Sequence, residues 1–189
     1  MLVLASTSPR RRELLGRLGI EFRVEPSGIA EDYPPGLTPE DLVRYLASAK
    51  AAAVVRKYRD AVIIAADTCG VLQRKILGKP RTPTDATAML RTLSARSHRV
   101  ITGLTVMDSG NAKMVTRVIE TRVFIKALTE REIQRYVATG EPLDKAGGYA
   151  IQGLGAVIVA RISGDYYNVM GLPLYTLAEV LPEFGVEVL

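Results

Sequence analysis

The stretch Leu2-Val3-Leu4-Ala5-Ser6-Thr7-Ser8-Pro9-Arg10-Arg11-Arg12 opens the chain and sets its architecture. Consecutive aliphatic residues from Leu2 into Ser6, too short a run for a helix, read as a buried strand. Thr7-Ser8-Pro9 then supplies a hydroxyl N-cap and a proline suited to a first helical turn. A helix is therefore expected from Arg10 to Leu18, with Gly19 as its C-terminal stop. A strand that passes into a helix through a short hydroxyl-rich turn is the beginning of an α/β fold.

Working outward, the alternation continues. Glu21–Glu25 is short and extended, and Thr38-Pro39-Glu40-Asp41 opens a long helix to about Lys57. Ala61–Ala66 reads as a buried strand ending at Asp67, and Thr82-Pro83-Thr84-Asp85 caps a helix to about Leu93. Residues 98–107 and 113–126 read as two strands joined by the turn Asp108-Ser109-Gly110-Asn111. Thr129-Glu130-Arg131-Glu132 is a capping box for a helix ending at Gly140. Gly155–Ile162 is expected to be another strand and Pro173–Phe184 the last helix. The hairpin interrupting the alternation predicts an α/β domain with a mixed sheet.

Composition excludes several chemistries. The one cysteine, Cys69, leaves no intramolecular disulfide and no multi-thiolate zinc site. The one histidine, His98, leaves no two-His metal motif and few routes to a Ser–His–Asp triad. Apolar residues make up 48% of the chain, yet the longest apolar run, Ala61–Ala66, is far below the ~18 residues of a membrane span. No signal peptide is read at the N-terminus, and a reducing cytoplasm is the expected location. The net charge is +5, concentrated at the start, where Arg10, Arg11, Arg12, Arg17 and Arg23 face only Glu13 and Glu21. Such a balance invites an anion, whether nucleic acid, membrane surface or phosphorylated small molecule.

Three stretches carry candidate chemistry. Ser6-Thr7-Ser8-Pro9-Arg10-Arg11 puts two serines and two guanidinium groups at a helix N-terminus, a phosphate cradle on one reading and a solvated basic helix capped by Ser8 on the other. Asp67-Thr68 closes the strongest apolar strand, where an acid can hold a metal, take a proton from water, or simply cap the next turn. The stretch from Gly140 to Gly153 is constrained by Gly and Pro yet carries Glu, Asp, Lys, Tyr and Gln, which suggests preformed geometry. Two tyrosines, Tyr166-Tyr167, precede the last helix and read as packing or base stacking. Lys50 and Glu31 read equally as solvated residues.

Taken in order, Ser6-Thr7-Ser8-Pro9-Arg10-Arg11, Ala66-Asp67-Thr68, Gly78-Lys79-Pro80, Gly140–Gly153 and Asn168–Leu174 resemble the Maf family of nucleoside triphosphate pyrophosphatases. The resemblance runs from Leu4 to about Leu174. It implies one Maf-like domain over residues 1–189. The implied fold is an elongated mixed α/β sheet flanked by helices, with two lobes and a cleft, similar to inosine triphosphate pyrophosphatases. It implies hydrolysis between the α- and β-phosphates, giving a nucleoside monophosphate and pyrophosphate, with Mg²⁺ or Mn²⁺.

By position, Asp67 looks like the proton acceptor and Arg11, Lys50 and Lys79 like phosphate-binding cations. Ser6 and Ser8 stand alongside as substrate-binding groups, and Glu31 with Asp67 looks like the metal-associated pair. Arg10, Thr68 and Gln152 resemble the subgroup acting on dTTP and UTP, including modified pyrimidine nucleotides. The sister subgroup acting on 7-methyl-GTP tends to carry Trp, Gln and Glu there. A cationic methylated guanine suits Trp and a carboxylate, whereas Arg10 repels it. Glu141-Pro142-Leu143-Asp144-Lys145-Ala146-Gly147 also looks like the dTTP/UTP subgroup. Cys69-Gly70 departs from the bulkier aliphatic residues usual there, and Arg12 has no assigned role.

Two alternatives stand beside this reading. One is activity on 7-methyl-GTP or deaminated purine triphosphates; the other is a nucleic-acid-binding division regulator. The modest +5 excess and the absence of a DNA-binding motif argue against nucleic acid. The expected partner is a nucleoside triphosphate, with no membrane; the family often forms homodimers.

Overall fold

Hydroxyl caps start the four principal helices where the sequence places them. Ser8, Thr38, Thr82 and Thr129 each accept a backbone N–H three residues on, beginning α1 (Pro9–Gly16), α2 (Pro39–Val55), α3 (Pro83–Leu93) and α4 (Glu130–Ala138). At Thr82 and Thr129 the return bond from Asp85 or Glu132 completes a capping box. These assignments come from a computed structural model that describes residues 1–189, the Asp144 side chain excepted.

The strands form one mixed sheet. β1 (Leu2–Leu4) pairs in parallel with β2 (Arg23–Val24) and β3 (Val62–Leu72), and β3 pairs antiparallel with β4 (Lys75–Leu77). β5 (Ser97–Asp108) lies between β3 and β6 (Met114–Ile125), and β6 pairs antiparallel with β7 (Val159–Ser163). The strand order is β2-β1-β3-β5-β6-β7, with β4 on β3. A mixed sheet flanked by helices is what the sequence pattern implies.

Some boundaries differ from the sequence reading. β3 does not stop at Asp67 but runs on to Leu72, because Gly70, Val71 and Leu72 find ladder partners in Leu77, Ile76 and Lys75 of the unforeseen β4. Asp67 and Thr68 therefore sit inside a strand, not at its carboxyl end. The expected strand from Gly155 begins only at Val159, since Gly153–Val157 is a 3-10 turn. That turn is held by Glu141, whose carboxylate accepts the Leu154 and Gly155 N–H groups at 3.0 and 2.8 Å. The last helix is α6 (Leu174–Val180), followed by a 3-10 turn at Leu181–Phe184 containing Pro182, which lacks an N–H. A short α5 (Tyr166–Met170) precedes it.

The chain divides into two compact units, Met1–Thr68 with Ile101–Ile119 and Tyr167–Leu189, and Cys69–Val100 with Glu120–Tyr166. In the first, Val3, Ala5, Ala51, Val54, Ala61, Ile63 and Ala65 form a packed cluster of side chains from α2, from β1 and β3, and from the residues next to those strands. Each buried valine or isoleucine there contributes about 1.5–3 kcal/mol. In the second, α3 and α4 bury Leu90, Leu93, Ile133 and Val137. His98 is buried too, its Nε2 2.8 Å from the Tyr149 hydroxyl, and burial holds its pKa down at about 4. It is a neutral core group. No helix among the described residues is long and apolar enough to cross a membrane.

One close approach fixes how α2 seats on β5. A Cβ at Gly103 would lie 2.2 Å from the Val43 carbonyl oxygen. Only a hydrogen fits between the two backbones. Gly103→Ala is expected to push α2 off the strand and cost about 2 kcal/mol or more, read as a lower urea midpoint with unchanged slope.

Candidate active site

The site grows from two helix-borne cations and one strand. On α2 the buried positions Val43, Leu46, Ala47, Ala51 and Val54 form an amphipathic stripe, and Lys50 falls within it. Lys50 is therefore no surface lysine. Its Nζ donates to Asp67 Oδ1 at 2.6 Å and to Glu31 Oε1 at 2.7 Å. The Lys50 and Asp67 side chains are 11% and 12% exposed, against 63% for Glu31, so the Lys50–Asp67 half of the bridge is the desolvated one.

Burial raises the Asp67 pKa above 3.8, and the Glu31 carboxylate adds to the rise. Lys50, by charge and hydrogen bond, and Arg11, by charge, pull it back. The outcome is a carboxylate more basic than a solvated one, the direction a proton acceptor needs.

Arg11 enters from the other side of the sequence. Ser6 lies two residues past β1 and its Oγ accepts the Ser8 N–H at 3.1 Å, while Ser8 Oγ accepts the Arg11 N–H at 3.4 Å. Both serines thus serve the turn itself as well as facing the helix start. The Arg11 guanidinium is then fixed twice, Nε donating to the Gly171 carbonyl at 2.8 Å and Nη2 to Thr68 Oγ1 at 3.1 Å. Burial lowers its pKa from 12.5, and Asp67 opposes that while Arg10 reinforces it. The group stays charged, with its remaining N–H donors free of these two bonds and suited to a phosphate. α1 carries no acid in its first turn to neutralise it.

The structure thus forms two bonded sets within the first unit, Ser6–Ser8–Arg11–Thr68 and Glu31–Lys50–Asp67, which meet where Asp67 and Thr68 are neighbours in β3 and the Arg11 charge acts on Asp67. Arg10, half-buried in α1, belongs to the same unit, and Arg12 is exposed. Lys79 and Gln152 belong to the second unit. Lys79 is exposed beside Gly78, whose carbonyl accepts the Gly147 N–H at 3.0 Å, and Gln152 is half-buried at the start of the 3-10 turn Gly153–Val157. A cavity of about 530 Å³ in that unit, with Arg96, Arg99, Arg122 and the structural His98 in its wall, touches none of the candidate site residues.

The donor set suits a hard cation. Asp67 and Glu31 offer oxygen ligands, the preference of Mg²⁺ and Mn²⁺, and no cluster of three or more His, Cys, Asp or Glu exists among the described residues. Two carboxylates leave most coordination positions to water or substrate oxygens, the usual arrangement for Mg²⁺ on a polyphosphate. Sequence reasoning assigned no role to three residues tied to this set: Gly171, whose carbonyl holds Arg11, and Thr102 and Asn168, which continue from the Thr68 hydroxyl. Gly171 and Asn168 lie in a motif it quoted, and Thr102, fully buried in β5, carries no signal in its neighbours.

Comparison with known proteins follows the same outline. A family model described as Maf-like protein matches residues 1–184. The chain is 51% identical to the dTTP/UTP pyrophosphatase of Pelotomaculum thermopropionicum over 188 residues, covering 100% of this chain and 98% of that protein. It is 50% identical to the dTTP/UTP pyrophosphatase of Moorella thermoacetica over 187 residues, covering 99% and 96%. Among solved structures, a HAM1 protein from Coxiella burnetii shares the fold at a TM-score of 0.51 and 15% identity, over 96% of this chain and 98% of that one.

Lys50→Met tests the bridge. A carboxyl whose native pKa exceeds its unfolded value binds protons more tightly when folded, so it weakens stability as pH rises through that interval. Removing Lys50 takes away both of its restraining contributions to Asp67 and extends the interval upward. The variant is expected to lose about 3 kcal/mol at pH 7 and much less at pH 4, measured by urea unfolding at the two pH values.

Proposed function

Because the chain belongs to the Maf family, we propose that it hydrolyses dTTP and UTP to the nucleoside monophosphate and pyrophosphate, with Asp67 as the proton acceptor. The observation that carries this reading is the buried Lys50 ammonium bridging Asp67 and Glu31 beside an immobilised Arg11. Its support comes also from relatives about half identical over their full length that bear that name.

The chemistry is the addition of water across the α–β phosphoanhydride. The water oxygen bonds to phosphorus, the bridging P–O bond breaks, and one proton of the water passes to Asp67. Asp67 Oδ1 is pinned by Lys50, leaving Oδ2 to take that proton. Arg11 and Lys50 neutralise phosphate charge that grows on the leaving pyrophosphate, the role the family resemblance also gives Lys79. Fixed cations in a partly desolvated site do this without reorganising, so most of the rate enhancement is positioning and electrostatics. Asp67 and Glu31 would hold a divalent cation, which when bound supplies further charge neutralisation and polarises phosphoryl oxygens. Ser6 and Ser8 line the helix start that receives the phosphates.

Arg10, Thr68 and Gln152 are assigned to the base. Uracil and thymine present two carbonyl acceptors around one N–H, an edge that guanidinium, hydroxyl and carboxamide groups can satisfy together. A cationic 7-methylguanine would meet Arg10 as a like charge.

The test is pyrophosphate release from a panel of dTTP, UTP, CTP, deaminated purine triphosphates and 7-methyl-GTP with Mg²⁺ or Mn²⁺. Wild type is expected to prefer dTTP and UTP, and Asp67→Asn to lose about 10²–10⁴ in kcat. The acid limb of the wild-type kcat/KM profile is expected above the ordinary aspartate value of 3.8. Undiminished turnover by Asp67→Asn would remove the proton acceptor from the mechanism, and preference for 7-methyl-GTP would reassign the base.

A further inference from the structure

Thr68 does not stand alone in its strand. Its Oγ1 accepts from Arg11 Nη2 at 3.1 Å and lies 2.9 Å from the hydroxyl of Thr102, which is fully buried. Thr102 Oγ1 in turn lies 3.2 Å from the Asn168 carbonyl oxygen and donates to it. All four residues belong to the first unit.

These contacts admit one consistent set of donors. A hydroxyl has one proton and two acceptor lone pairs. Arg11 is donor only and the Asn168 carbonyl is acceptor only. If the Thr102 proton points at Asn168, the 2.9 Å contact is a hydrogen bond only when Thr68 donates to Thr102. Were Thr102 instead to donate to Thr68, its oxygen would face the Asn168 carbonyl oxygen with no hydrogen between them, a buried repulsion. The direction therefore runs from Arg11 through Thr68 and Thr102 to the Asn168 carbonyl.

The consequence falls on Thr68, which is only half-buried and so can be reached by a ligand. Its proton is committed to Thr102, one lone pair is taken by Arg11, and a single lone pair remains. Toward a base, Thr68 can only accept. We infer that Thr102 fixes the direction of the Thr68 hydroxyl and thereby selects pyrimidines carrying an N3–H, uracil and thymine, over cytosine, whose N3 is an acceptor. This rests on the assignment of Thr68 to the base. It makes Thr102 a positioning residue for specificity, acting entirely through its neighbour.

Thr102→Val keeps the shape of the side chain but removes the acceptor, freeing the Thr68 proton to meet cytosine N3. The readout is kcat/KM for UTP divided by that for CTP, with Mg²⁺. Wild type is expected to favour UTP, Thr102→Val to lower the ratio about tenfold, and Thr102→Ser, which restores the hydroxyl, to return it. A Thr102→Val enzyme that loses UTP and CTP turnover equally, or keeps the wild-type ratio, overturns the inference. Wild type alone gives an arm that needs no folded variant. 3-Methyl-UTP, with a methyl in place of the N3 hydrogen, is expected to be turned over at least about tenfold less well than UTP. Equal turnover of 3-methyl-UTP, or UTP turnover without preference over CTP, overturns this inference and leaves the pyrophosphatase reading intact. Turnover of neither UTP nor dTTP overturns that reading, and the inference with it.

Discussion

A lysine ammonium held out of water between two carboxylates is the constraint around which the first unit is arranged. Lys50 sits in the apolar stripe of α2, where a charge is costly unless it is paired. Asp67, inside the longest apolar strand segment, carries the same penalty. Each makes the other tolerable, and only while α2 lies tight against the sheet. Gly103 permits that approach, and the small side chains Ala47, Ala51 and Ala65 keep the helix close. Packing and chemistry are thus one problem here: the contact that seats the helix also sets the proton affinity of Asp67.

A second set of bonds stands beside the first. Arg11 is fixed to the Gly171 carbonyl and to Thr68, and Thr68 leads through Thr102 to Asn168. Four segments distant in sequence, the first helix, two strands and α5 with the glycine after it, meet around two hydroxyls. Gly171, at φ +103, leaves room for them; a Cβ there would stand 3.4 Å from Thr68 Oγ1. Where the Lys50 bridge controls charge, this chain of hydroxyls controls direction.

Much of the fold was legible because it depends on neighbours in sequence. Four helix starts follow from Ser8, Thr38, Thr82 and Thr129, each a local hydroxyl reaching an N–H three residues away. The turn after Asp108 follows from a side chain that accepts the Gly110 N–H at 2.7 Å. The errors came where partners were remote. β3 outlasts its apolar run because β4 offers it a ladder, and the strand expected at Gly155 starts late because Glu141 captures the preceding N–H groups.

The same division holds for the site. Residue types and order put carboxylates, cations and hydroxyls forward as the candidate chemistry, and marked the first strand–helix turn and Asp67-Thr68 as its candidate places. Tertiary structure alone decided that Lys50 is buried and spans Asp67 and Glu31, that Arg11 is clamped, and that Thr102 stands behind Thr68. Local motifs fix what a residue can do, since capping and charge act within a turn or two. Which groups share a proton depends on side chains from separate elements meeting within 3 Å or so, and that geometry exists only once the sheet and its helices have packed.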